Sequence, residues 1–153
     1  MWCAPGRFGS TGQTLKVDQM GNMLRSHANA WDATTDRIIG AAIEVHRELG
    51  PGLLESAYQA CLAEEMSLRG LEFRRHVPLQ VQYRGRTLES AYQVDFVVQR
   101  VVVELKAVEQ IVAVHRAQLL TYLRLMQLPC GLLVNFNVPV LKDGVTRLIR
   151  SPQ

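Results

Sequence analysis

Asp95, Glu104 and Lys106 are the residues whose types and spacing best suit chemistry. They fall within residues 92–106, YQVDFVVQRVVVELK, which reads as two strands joined at Gln99-Arg100. In that register Val98 pairs with Val101, Val97 with Val102, Phe96 with Val103 and Asp95 with Glu104, while Gln93 faces Lys106. Side chains alternate with a period of two, so Asp95, Glu104, Lys106, Gln93, Val97 and Val102 share one face. Phe96, Val98, Val101, Val103 and Leu105 form a second, wholly apolar face suited to a helical layer. Two carboxylates about 5 Å apart repel by roughly 3 kcal/mol at an effective dielectric near 20, and like charges directly opposite destabilise a ladder. A divalent cation offsets that repulsion, because one or two carboxylates plus water suit Mg²⁺. Lys106 adds a further positive charge. The same residue types also occur as solvated edge charges, and Gln99-Arg100 is not a favoured turn pair, so a one-residue bulge there would break the register.

The elements that must position these groups follow from periodicity. Ile38, Ile39, Ala42, Ile43, Val45, His46 and Leu49 recur at helical spacing before the stop at Gly50-Pro51, predicting a helix over 36–49 with His46 as a core residue. A second helix is predicted over 53–69, ending at Gly70 and burying Leu54, Ala57, Tyr58, Cys61, Leu62 and Leu68. Glu55 falls in its first turn, where an acid is favourable against the helix dipole. Residues 71–98 read as two or three strands broken at Pro78 and at Arg84-Gly85-Arg86. A third helix around Ala117, Leu119, Leu120, Leu123 and Met126 carries His115, Gln118 and Tyr122 on one side. CGLLVNF, from Cys130, reads as a short, fully buried strand, and VTRLI, from Val145, as a last edge strand after the Lys142-Asp143-Gly144 turn. The order is that of a mixed α/β domain with a central sheet flanked by helices.

At 153 residues, 48% hydrophobic and 20% charged, the chain fits one soluble domain with a sizeable core. Its longest apolar runs fall short of a bilayer span and its N-terminus lacks a signal-peptide core, so a cytoplasmic protein with no membrane partner is expected. Residues 1–32 have no persistent apolar stripe and are read as a mobile N-terminal extension before a domain at 33–153, with Met20 or Met23 as alternative starts. The odd set Cys3, Cys61 and Cys130 lacks the spacing of a disulfide framework or zinc site. A net charge of +3 permits nucleic-acid binding without requiring it.

Asp95 followed by Glu104-Leu105-Lys106 on the next strand resembles the core signature of the PD-(D/E)XK nuclease superfamily. GLLESAY, with Gly52, Glu55 and Tyr58, resembles the pattern naming the GxxExxY family, supported by IGAAIEVHRELGPGLLESAYQACL, VELKAVE, HRAQLLTYL and GLLVNFN in order from about residue 36 to 150. Val94 stands where the superfamily motif has proline. The resemblance implies an α/β, restriction-endonuclease-like core in the order α-α-β-β-β-α-β. It also implies metal-binding carboxylates at Asp95 and Glu104, a further acid at Glu55, and Lys106 as the lysine that steadies the attacking water. Gln118 and Tyr122 match the Gln-x-x-x-Tyr spacing of the exonuclease-like branch, where such residues support the lysine and the substrate.

The implied activity is Mg²⁺- or Mn²⁺-dependent hydrolysis of phosphodiester bonds in DNA or RNA. Lys106 takes an electrostatic role rather than that of a general base, since neighbouring carboxylates favour its charged form. Arg74, Arg75, Arg84, Arg86 and Arg116 are candidates for phosphate contacts. The rival reading is a non-catalytic module that keeps the nuclease fold for nucleic-acid or protein binding; a third is a domain that works only inside an assembly, where a protein partner or homo-oligomer supplies substrate choice.

Overall fold

The apolar stripe that begins at Ile38 belongs to a helix that starts well before it. The computed structural model describes residues 17–151, and its first helix, α1 (Val17–Leu49), runs unbroken through a stretch without proline. The expected start near residue 36 falls inside the helix, next to the buried Thr34 and Thr35. Of the expected extension, residues 1–16 lie outside the described residues, whereas 17–32 continue α1. Ile38, Ala41, Ala42 and Val45 are buried, but Ile43 and Leu49 lie on the outer side. Gly50, at φ 68°, ends the helix with its N–H on the His46 carbonyl at 2.8 Å, a left-handed stop that glycine adopts without strain.

Helix α2 (Glu55–Leu68) buries Tyr58, Leu62, Ala63 and Met66. Leu54 and Leu68, expected in its stripe, are exposed, because the helix begins after the first and ends on the second. Strands β1 (Arg74–Tyr83) and β2 (Arg86–Val98) form a long hairpin whose turn residues Arg84 and Gly85 both have positive φ, as a two-residue turn between twisted strands requires. Pro78 does not break β1; the register shifts between Pro78 and Gln80 instead.

Strand β3 (Val101–Lys106) pairs antiparallel with β2 and parallel with β4 (Cys130–Asn135), which is reached through helix α3 (Ala113–Met126). A short 3₁₀ turn (Leu141–Gly144) leads to β5 (Val145–Ile149), antiparallel to β4, and the five strands lie in the order β1-β2-β3-β4-β5. As alternation predicts, Phe96, Val98, Val101, Val103 and Leu105 pack against α1 and α2, while Val97 and Val102 pack against Leu119, Tyr122 and Leu123 of α3. Helix α3 sits so close to β4 that a Cβ at Gly131 would lie 2.9 Å from Leu119 Cδ1. His46 is buried as expected, with Nε2 2.8 Å from the Val138 carbonyl. Cys130 is buried and Cys61 half-buried; Cys3 lies outside the described residues. Among the described residues no helix is long and apolar enough to cross a membrane.

Candidate active site

The β2–β3 ladder runs from Val98–Val101 through Val97–Val102 to Phe96–Val103, as the two-residue turn predicts, and then stops. The expected Asp95–Glu104 and Gln93–Lys106 pairs do not continue it; Gln93 pairs with Pro78, and Lys106 with Asn135. The cause is Asp95 itself. Its Oδ2 accepts the Leu105 N–H at 2.8 Å, a donor that a continued antiparallel ladder would direct to the Val94 carbonyl. Alternation also slips here. Val94 and Val97, three residues apart, both belong to the cluster against α3, and His76, alongside Asp95 on β1, has φ 48°. The Asp95 carboxylate therefore occupies the split between the strands, and its Oδ1 accepts from Gln59 Nε2 of α2 at 3.0 Å.

Glu104 and Lys106 keep the alternation of β3 and face the α3 layer. Lys106 Nζ lies 3.4 Å from Glu104 Oε1 and donates to Gln118 Oε1 at 3.2 Å. Gln118 in turn donates through Nε2 to the Tyr122 hydroxyl at 2.6 Å. The predicted Gln118–Tyr122 pairing thus forms a chain that ends on the lysine. His115, expected on the same polar side, does not join it; its Nδ1 accepts the Val112 N–H at 3.1 Å and satisfies the start of α3.

Electrostatically the site is under tension. Burial raises the Asp95 carboxyl to about 6, and the Glu55 charge adds to this against the opposing Leu105 N–H. Burial, then repulsion from Asp95, raises Glu104 to about 7, with Lys106 pulling the other way. Tyr122 is raised too, first by burial and then by the charge on Glu104. One carboxylate oxygen, Glu104 Oε2, is buried with no hydrogen-bond partner. Two desolvated carboxylates, one with an unsatisfied oxygen, fit a hard divalent cation. Among the described residues, however, no group of three or more His, Cys, Asp and Glu side chains is placed to hold an ion. Glu55 contributes charge near Asp95 without completing a three-acid cage.

The turn before α2 ties Gly52, Glu55 and Tyr58 together. Gly52 has φ 101°, which disfavours any side chain. Tyr58 is fully buried, stacks on Phe136 with ring centroids 4.4 Å apart, donates its hydroxyl to the Gly50 carbonyl at 2.5 Å and accepts the Leu53 N–H at 3.2 Å. The tyrosine thus clamps the loop that sets where α2 and Glu55 begin.

Two positioning residues escaped sequence reasoning. Gln59 lies one helical turn beyond Glu55, and that i, i+4 spacing was the available signal. Asn135, buried at the end of β4, donates to the Val108 carbonyl at 2.9 Å and accepts the Val108 N–H at 3.1 Å, while Phe136 N–H bonds the Lys106 carbonyl at 2.9 Å. Its only trace in the sequence is a polar residue closing an apolar strand. The candidate arginines do not converge: Arg75 lies over the Phe96 ring at 5.5 Å, Arg84 over Tyr83 at 5.5 Å, and Arg74, Arg86 and Arg116 are exposed.

A family model described as the PD-(D/E)XK nuclease superfamily matches residues 32–148. No curated protein and no solved structure gives a significant match.

Proposed function

The chain belongs to the PD-(D/E)XK nuclease superfamily, and from that premise we propose that it hydrolyses phosphodiester bonds in DNA or RNA with Mg²⁺ or Mn²⁺ held by Asp95 and Glu104. The observation that carries this reading is the buried, unpartnered Glu104 Oε2 beside a second desolvated carboxylate and a lysine. When bound, the cation supplies Lewis-acid polarisation of the phosphodiester and lowers the pKa of a water. Asp95 and Glu104 contribute its oxygen ligands, and Glu55 adds negative potential on the α2 side. Lys106 neutralises charge that develops on the phosphate. Gln118 fixes where that ammonium sits, and Tyr122 holds Gln118 in turn.

Within the superfamily we assign the chain to the GxxExxY family, supported by Gly52, Glu55 and Tyr58 acting together in the turn that starts α2. The test is a panel of labelled DNA and RNA substrates incubated with Mg²⁺ or Mn²⁺, comparing wild type with Glu104→Ala and Lys106→Ala. Metal-dependent cleavage abolished by both substitutions is the expected result. Cleavage that persists in Glu104→Ala removes the assignment, and binding without cleavage by any version supports the non-catalytic module.

A further inference from the structure

The Lys106–Gln118–Tyr122 chain does not end in the core. Gln118 and Tyr122 also line an open groove of about 470 Å³ between α3 and the β1–β2 hairpin, together with Val81, Tyr92, His115 and Arg124. Most of its lining surface is apolar, and neither Asp nor Glu is among its lining residues. Tyr92 is 57% exposed, and its ring stands 6.3 Å from that of Tyr122 at an interplanar angle of 59°. Val114, which also lines the groove, is 67% exposed. An aromatic and apolar trough with one guanidinium, Arg124, on its wall and no carboxylate suits a ligand that is flat and apolar in one part and anionic in the next. A nucleotide has that character, and its phosphate would lie toward Lys106.

Resting on the nuclease reading, we propose that this groove binds an unpaired nucleotide adjacent to the cleaved phosphate, with the base stacked on Tyr92 and Arg124 turned toward the neighbouring phosphate. The substrate is therefore a single strand or a frayed end. Bases within an intact duplex are already stacked and paired, and reach such a groove only after unpairing. Stacking on an aromatic ring accepts any base, so the groove selects for strandedness, not for sequence.

The test measures binding apart from cleavage. Fluorescence anisotropy in EDTA compares labelled single-stranded DNA, its RNA counterpart and a blunt duplex of the same sequence, using wild type, Tyr92→Ala, Tyr92→Phe and Arg124→Ala. We expect Tyr92→Ala to weaken single-strand binding about tenfold, Tyr92→Phe to retain it, and duplex binding to stay unchanged. Arg124→Ala should weaken binding and flatten its salt dependence. The DNA and RNA arms show which sugar the groove accepts. Equal losses on single strand and duplex, or no loss in Tyr92→Ala, overturn the groove while metal-dependent cleavage by wild type keeps the nuclease reading intact. Conversely, Tyr92-dependent single-strand binding with no cleavage overturns the nuclease reading and keeps the groove. A wild type that binds no nucleic acid overturns the groove outright.

Discussion

The two ends of the β2–β3 hairpin are built on opposite terms. At the turn, the ladder is complete and its side chains are apolar, although Gln99 must hold φ 53° in an unfavoured turn. Helix α1 makes that turn tolerable: Thr34 donates to Gln99 Oε1 at 2.6 Å, and Arg100 lies over the Trp31 ring at 5.6 Å. At the other end the backbone pairing is abandoned, and a side-chain carboxylate takes the strand's N–H in place of a carbonyl. One end spends tertiary contacts on regular structure. The other gives up regular structure to crowd charges together, a pattern expected where local rules yield to function.

The sharpest way to break the comparison is at the open end. Glu104→Ala or Lys106→Ala should reduce metal-dependent cleavage by about a thousandfold or more, with the folded state retained, as turnover on the best substrate and circular dichroism will show.

Next in size is a pH effect on stability. Both carboxyls are raised on folding, Asp95 from 3.8 to about 6 and Glu104 from 4.5 to about 7. The folded state then binds these protons more tightly than the unfolded chain. The stability they contribute is fully present below their ordinary values and is lost as pH rises through about 6 to 7. Either shift alone corresponds to about 3 kcal/mol, so metal-free protein should lose at least about 3 kcal/mol between about pH 4 and pH 8 from this pair. Chemical denaturation at several pH values measures the loss. Mg²⁺ should restore stability at the alkaline end, and Glu104→Gln should flatten the profile; a wild type whose stability rises over this window contradicts the tension assigned to the pair.

Gln118→Ala, which frees Lys106 from its α3 partner, should lower cleavage by about 10- to 100-fold without changing the substrate range, the size typical of a residue that orients a catalytic group. The smallest effect belongs to the closed end. Thr34→Val removes the bond to Gln99 and should cost about 1 kcal/mol in denaturation with cleavage unaltered. If it instead impaired cleavage, the two ends would be coupled and the contrast between them would not hold.

Sequence reasoning read the closed end correctly because hydrophobic alternation is a strong signal, and the three valine-rich pairs satisfy it from both strands. It misplaced the Asp95–Glu104 pairing because that reading assumed an uninterrupted ladder, whereas the Asp95 side chain competes with the backbone for Leu105 N–H. The Gln118–Tyr122 link was legible as i, i+4 spacing on α3, but the i, i+3 spacing to Gln118 put His115 beside them without revealing that Val112 N–H would claim it. Helix α1 was cut short because Val17 to Asp32 shows no apolar stripe in the sequence, and a helix need not carry one. Gln59 and Asn135 left only faint traces in the sequence for a different reason. Their partners, Asp95 and Val108, are distant in sequence and meet them only once the sheet has formed.

Asn135 also determines which wall of the site can give way. Its amide grips the backbone just beyond Lys106, and the neighbouring Phe136 N–H holds the Lys106 carbonyl, so the lysine is anchored by the β4 half of the sheet. Among the described residues, β3 and β2 share no ladder pair past Phe96, where the Asp95 carboxylate takes the Leu105 N–H. If the proposed site opens, the displacement expected is therefore that of the β1–β2 ribbon with Asp95, with Lys106 held by β4.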